Sequence, residues 1–315
     1  MESGLPTVTI IIPARPDESE VRAVAAARQL DYPPDKVEII LARGRQPSVQ
    51  RNTALRAARG EIIYFLDDDS RPAPGNLRRA VELFKSPEVK MVGGPNLCPL
   101  DAPALEQAFA LVMGSWLAFG PSCARYRRTG SVRPTTEKEL ILCNLLARRT
   151  DLLELGGFNE ALYPNEENAL MDELQKRGGK LLYDPDLTVH RRPRGTFWAF
   201  CKMLANYGRG RAEQFRLHPT PGSAPNFVPP LFCLFLLLLP FLPGYFAWVT
   251  AVYGAAVLAQ AVAVLPGKKL PWTPWIMGLI FVSHVCYGLG FWRGCLTKPK
   301  PPSATVADGI RLEKI

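Results

Sequence analysis

Three consecutive carboxylates, Asp67, Asp68 and Asp69, follow directly on the apolar run Ile62-Ile63-Tyr64-Phe65-Leu66. Acids at positions i and i+2 reach one cation together, and Mg²⁺ or Mn²⁺ with oxygen ligands bridges a diphosphate. An acidic turn helped by Ser70 and Pro72 is the other use of the same residues. A second acidic pair, Glu166-Glu167, follows a Pro-Asn turn where a helix begins. Acids there complement the helix dipole, but beside a cation site one of them has the chemistry of a general base. His190, beside Arg191 and Arg192, reads as a structural histidine, a third metal ligand or a phosphate contact. Arg209 and Arg211 carry guanidinium forks that match phosphate oxygens. They equally suit an interfacial helix with Phe197, Trp198, Phe200 and Tyr207 on its apolar side.

A buried strand that ends in acids delivers them to the carboxyl edge of a sheet, where open α/β folds bind ligands. The strand run Val8 to Ile12, helical spacing over Glu18 to Leu30 and the run Val37 to Leu41 make a βαβ opening, which predicts a parallel sheet. A second helix fits Ser48 to Arg59, with Ser48 as N-cap and Gly60 at the stop. Asn76 caps a further helix to Phe84, and Val89 to Val92 and Leu140 to Ala147 read as strands. Gly120 to Thr136 is a basic loop, either a substrate lid or a solvated connection. Leu170, Met171 and Leu174 give one apolar face to a helix starting near Glu167. No strand leads into a GxGxxG or GxxxxGK[ST] loop, which removes the main support for dinucleotide-binding and P-loop readings.

The chain has 315 residues and a formal charge of +9. Between Arg191 and Arg216 seven basic residues stand against the single acid Glu213. Such a cluster suits phosphate or anionic lipid head groups. Because it directly precedes an apolar region, lipid and phosphate are expected partners and nucleic acid is not. Seven scattered cysteines without a CxxC pair fit a reducing compartment. The polar start Met1-Glu2-Ser3-Gly4 has no signal-peptide pattern, so the first domain is expected in the cytosol.

The expected organisation is a soluble domain over 1–218, a linker over 219–227, a membrane region over 228–296 and a polar tail over 297–315. Apolar segments lie at about 228–243, 245–265 and 275–295, and the latter two match a bilayer core roughly 30 Å thick. With three spans and a cytosolic first domain, Lys268-Lys269 falls inside and the tail with Lys298 and Lys300 outside. The positive-inside rule supports the first placement and resists the second. Within the third segment, His284 is a functional candidate by default, and Gly290 and Gly294 form a GxxxG suited to helix contact.

The ordered series of motifs resembles glycosyltransferase family 2, the inverting transferases of GT-A fold, within it the membrane-attached bacterial and archaeal enzymes of polysaccharide and glycolipid synthesis. The series is Val8 to Arg15, Arg51-Asn52, Ala58-Arg59-Gly60-Glu61 before Phe65-Leu66-Asp67-Asp68-Asp69, Gly156-Gly157-Phe158 and Asn165-Glu166-Glu167. The resemblance implies an α/β fold with a Rossmann-like, mixed and mostly parallel sheet, helices on both faces, and transmembrane helices after it. It implies a nucleotide-sugar donor held with Mg²⁺ or Mn²⁺, Asp67 near ribose or metal, Asp69 as direct ligand and His190 as a further one. Glu167 takes the place of the catalytic base, with Glu166 beside it. Pro13, Arg15, Arg43, Arg51, Asp68, Arg209 and Arg211 complete the nucleotide and diphosphate set, and Gly156, Gly157 and Asn165 border the acceptor.

Two departures stand out. The family's acid after the second strand is absent from Ala42-Arg43-Gly44-Arg45-Gln46-Pro47-Ser48, which leaves Arg43, Arg45 or Arg51 to meet phosphate. Glu167 replaces the family's usual Asp. The acceptor implied is lipid-linked or polysaccharide, at the inner or plasma membrane with the catalytic domain cytosolic. A rival reading is a non-catalytic membrane partner that binds nucleotide or scaffolds an assembly, and a third is a sugar-phosphate nucleotidyltransferase.

Overall fold

The computed structural model describes residues 4–160, 165–217, 221–297 and 309–315. The chain divides into two compact units, one of Met1–Pro99, Ala124–Arg192 and Pro301–Ile315 and one of Leu100–Cys123 and Pro193–Lys300.

The first unit is built on strands β1 (Val8–Ala14), β2 (Val37–Arg43), β3 (Ile62–Leu66), β4 (Arg71–Pro72), β5 (Val89–Gly93), β6 (Asn96–Leu97), β7 (Arg133–Thr135), β8 (Asn144–Arg148), β9 (Lys180–Tyr183), β10 (Val189–His190) and β11 (Arg311–Lys314). Eight form one mixed sheet in the order β11-β2-β1-β3-β8-β5-β9-β7, and β4, β10 and β6 form a small second sheet. β1 pairs in parallel with β2 and β3, and β5 with β9, while β8 runs antiparallel between β3 and β5.

Every residue of β1 and β3 is buried, as expected of Val/Ile-rich strands covered on both faces. Alternation separates the two layers. Ile10, Ile12, Tyr64 and Leu66 face one core, and Ile11, Ile63 and Phe65 face the other. Helices α1 (Arg22–Ala27), α2 (Pro47–Ala57), α3 (Asn76–Leu83), α6 (Arg149–Glu154) and α7 (Glu166–Lys176) belong to this unit. Gly60 precedes β3 where only glycine fits, since a Cβ there would lie 2.3 Å from the Thr9 amide nitrogen.

Several boundaries differ from the sequence expectation. α1 is short because its periodic run begins in the loop after β1. α2 opens on Pro47, whose fixed φ suits the first helical position, so Ser48 lies inside the helix and caps nothing. Asn76 is the first residue of α3 and not its cap. Its amide instead donates to Tyr64 Oη at 3.1 Å and to the Thr188 carbonyl at 2.8 Å. The strand expected from Leu140 begins at Asn144.

The second unit holds α4 (Ala104–Met113), α5 (Trp116–Phe119), α8 (Phe197–Leu217), α9 (Val228–Leu238), α10 (Ala247–Val264) and α11 (Thr273–Leu296). Three apolar helical stretches, Ala224–Phe241, Ala247–Val264 and Gly267–Leu296, are long and apolar enough to cross a membrane. The Gly290/Gly294 pair packs on α8: a Cβ on Gly290 would lie 2.0 Å from the Ala205 carbonyl oxygen, and one on Gly294 2.5 Å from that of Arg209. His284 is satisfied structurally, with Tyr253 Oη 2.8 Å from Nδ1 and the Leu117 carbonyl 2.9 Å from Nε2. Of the expected linker, Pro219 and Thr220 lie outside the described residues and Pro221–Phe227 forms a 3-10 turn.

Candidate active site

β3 ends where the carboxylates begin, at the carboxyl edge of the central parallel strands. The turn closes on itself: Ser70 N donates to the Asp67 carbonyl at 3.1 Å, and Asp67 N donates to Ser70 Oγ at 3.2 Å. Three acids on one turn repel one another, so cations must gather there. Arg51 supplies the first from α2. Its Nη2 donates to Asp67 Oδ1 at 2.8 Å and its Nη1 to Glu166 Oε1 at 3.3 Å. Arg191 supplies the second. Its Nη1 lies 2.7 Å from Asp67 Oδ2 and its Nε 2.5 Å from Asp69 Oδ1.

Asp67 at the strand end and Glu166 at the helix start thus share one guanidinium, whose side chain is only 6% exposed. Asn52, the next residue of α2, holds the other wall. Its Oδ1 accepts from Phe158 N at 2.8 Å, and its Nδ2 donates to the Phe158 carbonyl and to Glu160 Oε1, each at 2.8 Å. The turn it clamps needs its glycines: Gly156 and Gly157 have φ of 79° and 82°, where side chains other than glycine are strained. A Cβ on Gly157 would also lie 2.4 Å from Asn52 Oδ1.

Asn165 precedes α7 with a left-handed φ of 105°, a conformation asparagine tolerates better than most residues. The two acids of α7 differ in setting. Glu166 is buried, and that burial, with the neighbouring Glu167 charge, pushes its carboxyl up to about 8 against the pull of Arg51. Glu167 is half-buried, and its Oε1 accepts from Asn168 Nδ2 at 3.4 Å. Burial and the flanking charges of Asp69 and Asp67 also raise the Asp68 carboxyl.

Asp67 and Asp69 fit a divalent cation by donor type. Both are hard oxygen ligands, and Mg²⁺ takes one or two carboxylates with substrate phosphates completing its shell. Among the described residues no three His, Cys, Asp or Glu side chains gather as a metal cage. His190, on β10, stands opposite Arg71 of β4. Burial and the positive charges of Arg128 and Arg71 lower its proton affinity, a setting that also disfavours a bound cation.

The remaining residues take varied places. Pro13 lies within β1 and Arg15 is exposed just after it. Arg43 is engaged: its Nε lies 3.0 Å from Glu313 Oε1, and its Nη1 donates to the carbonyls of Glu18 at 2.7 Å and Arg15 at 3.4 Å. Arg209 and Arg211 lie on α8 in the helical unit, where Arg209 pairs with Glu213 at 3.5 Å and Arg211 donates to Gln214 at 3.0 Å. Sequence reading missed Arg191 and Asn52 as site residues. Charge balance was the available signal for Arg191, since three adjacent acids demand a cation. Nothing local marked Asn52 as the clamp of a turn more than a hundred residues away.

Known proteins resemble this chain in family and in fold. The family model described as "Glycosyltransferase like family 2" matches residues 2–207. The "Succinoglycan biosynthesis protein ExoA" of Rhizobium meliloti (strain 1021) is 24% identical over 91% of this chain and 94% of its own. The "Pre-mycofactocin glycosyltransferase" of Mycobacterium tuberculosis (strain CDC 1551 / Oshkosh) is 27% identical over 55% of this chain and 36% of its own. Among solved structures, the mannosyltransferase PcManGT from Pyrobaculum calidifontis, in complex with GDP-Man and Mn²⁺, has the same fold. It superposes with a TM-score of 0.57 at 18% identity, over 91% of this chain and 88% of that one.

Proposed function

The chain belongs to glycosyltransferase family 2, and from that premise we propose that it is a membrane-bound inverting transferase that moves a sugar from a nucleotide-sugar donor to a lipid-linked or polysaccharide acceptor. The observation that supports this reading is the Arg51 guanidinium, which pairs with Asp67 after β3 and with Glu166 at the start of α7, beside Glu167. Asp67 and Asp69 would hold Mg²⁺ or Mn²⁺, which when bound offsets the charge of the leaving diphosphate.

Glu167 is the base in this mechanism. Burial favours the protonated form of Glu166, which suits a base poorly, whereas Glu167, one residue along, is half-buried. Glu167 takes the proton of an acceptor hydroxyl as that oxygen bonds to the anomeric carbon. The bond from that carbon to the diphosphate oxygen breaks on the opposite side, and the nucleoside diphosphate leaves with the electron pair. Configuration is inverted. Arg191, already on both carboxylates, balances the site before donor and cation arrive.

The mannosyltransferase solved with GDP-Man and Mn²⁺ and the relative named for succinoglycan biosynthesis support donor and acceptor classes. The apolar helices support the inner or plasma membrane, and seven free cysteines support a cytosolic catalytic unit. The test uses purified full-length protein with a panel of nucleotide sugars, membrane lipids and Mn²⁺. Transfer with inverted product stereochemistry is expected, with turnover reduced about 100-fold or more in Glu167→Gln and abolished in Asp69→Ala. Donor binding without transfer across the panel would instead indicate a scaffold. Undiminished turnover in Glu167→Gln would remove the base assigned here.

A further inference from the structure

We infer that Asn168 is a positioning residue for Glu167, and that Arg125 fixes Asn168, so that the basic stretch before β7 is a strap that aims the base. The inference rests on the role given to Glu167 above and names the residues that set its orientation.

Asn168 is the third residue of α7 and is fully buried. A buried amide needs partners for its oxygen and for its nitrogen, and the fold supplies both. Arg125 Nη2 donates to Asn168 Oδ1 at 2.7 Å. A guanidinium only donates, so this contact decides which way the amide faces. Its oxygen is turned to Arg125, and its N–H bonds are left for the start of α7. Nδ2 donates to Asn165 Oδ1 at 3.0 Å and to Glu167 Oε1 at 3.4 Å. Asn168 therefore joins the left-handed residue that precedes the helix to the carboxylate of its second residue.

Glu167 needs such a partner. Glutamate is among the side chains that lose most rotamer freedom when held in one place, and a base must be held in one place to meet an acceptor hydroxyl. Its neighbour Glu166 is engaged by Arg51 and leaves Glu167 to other donors. Successive side chains of a helix diverge by about 100°, so Asn168 meets Glu167 only while its own rotamer is pinned. Arg125 does the pinning.

Arg125 is anchored in turn. The same Nη2 donates to the Glu137 carbonyl. Tyr183 Oη of β9 lies 3.1 Å from the Ala124 carbonyl and 3.0 Å from that of Arg127, which holds the backbone on both sides of Arg125. Arg133 sits 4.4 Å over the Tyr183 ring and pairs with Glu139 at 2.9 Å. β7 pairs with β9 in the main sheet, and Gln175 Nε2 of α7 donates to the Thr135 carbonyl at 3.1 Å. The stretch from Ala124 to Glu139 thus grips α7 twice, by Arg125 at its start and by Thr135 near its end. A sequence that read equally as a substrate lid or a solvated connection is, over these residues, fixed to the sheet and to the helix that carries the base.

The test measures transfer by purified full-length Asn168→Asp, Asn168→Ala and Arg125→Gln, each alone and in the Glu167→Gln background. Asn168→Asp keeps an oxygen for Arg125 and removes both N–H donors, so a role confined to holding Arg125 survives it and the aiming of Glu167 does not. Each single variant should lower kcat on the order of 10- to 100-fold, with the KM for the nucleotide sugar changed by no more than about twofold. In the Glu167→Gln background the same changes should cost no further turnover, because residues that act as a unit are not additive. Binding of nucleoside diphosphate with Mn²⁺, read by calorimetry, reports folding; should Asn168→Ala or Arg125→Gln lose it, Asn168→Asp decides the matter. Wild-type kcat in Asn168→Asp overturns the proposal, and so does an undiminished loss in the Glu167→Gln background, which would mean that Asn168 acts through the fold alone. Full turnover in Glu167→Gln itself would refute the base, a separate failure.

Discussion

At the scale of residues, the site is a problem of charge balance. Arg51 pairs with Asp67 and Glu166, and Arg191 pairs with Asp67 and Asp69. The acids and their order were legible in the sequence because a strand ending in carboxylates is a local signal. Their partners were not, because an arginine's reach makes many pairings sterically open until the fold selects one. Arg43, expected to meet phosphate, is held by Glu313 from the far end of the chain. The buried Glu166 has a consequence for stability. Its folded-state value of about 8 lies above the ordinary 4.5, so folding takes up a proton. The contribution is full below about pH 4.5 and is lost as pH rises through about 8. Melting temperatures of the wild type should fall over that window more steeply than those of Glu166→Gln. Parallel curves would mean the carboxyl is ionised in the fold.

At the scale of elements, α2 organises the site from both sides. Arg51 ties β3 to α7, and Asn52 ties the Gly156-Gly157-Phe158 turn. Period-two and helical patterning placed the strands and α7 well, since burial on both faces of a parallel sheet leaves little choice of residue. Caps were read less well: Pro47 preorganises the start of α2 without a side-chain cap, and Asn76 is used for long-range bonding. The Asn52 clamp yields a prediction of its own. Gly157→Ala forces a Cβ toward Asn52 Oδ1 at a positive φ and should cost about 1–3 kcal/mol, measured by thermal unfolding, with a parallel loss of turnover. Gly75→Ala, where a Cβ meets nothing within 4 Å, is the control and should change neither.

At the scale of the whole molecule, the C-terminal strand ties the end of the chain to its first domain. β11 covers the edge of β2 that would otherwise stand unpaired, and Glu313 and Lys314 pair with Arg43 and Glu38 across it. Deleting residues 309–315 should cost about 2 kcal/mol, the worth of a few cross-strand pairs, and should promote self-association through the bared edge. Unfolding curves and light scattering read both outcomes, and an unchanged melting temperature would show that β11 contributes nothing to the sheet. The sequence by itself determined the βαβ opening, the acids at a strand end, the apolar helices and the family, because hydrophobic periodicity and adjacent motifs are written locally along the chain. Only the tertiary structure decided which arginines meet which acids, what clamps the glycine turn and that Arg311–Lys314 of the polar tail form a strand. Those depend on contacts between residues far apart in sequence, which the sheet order creates.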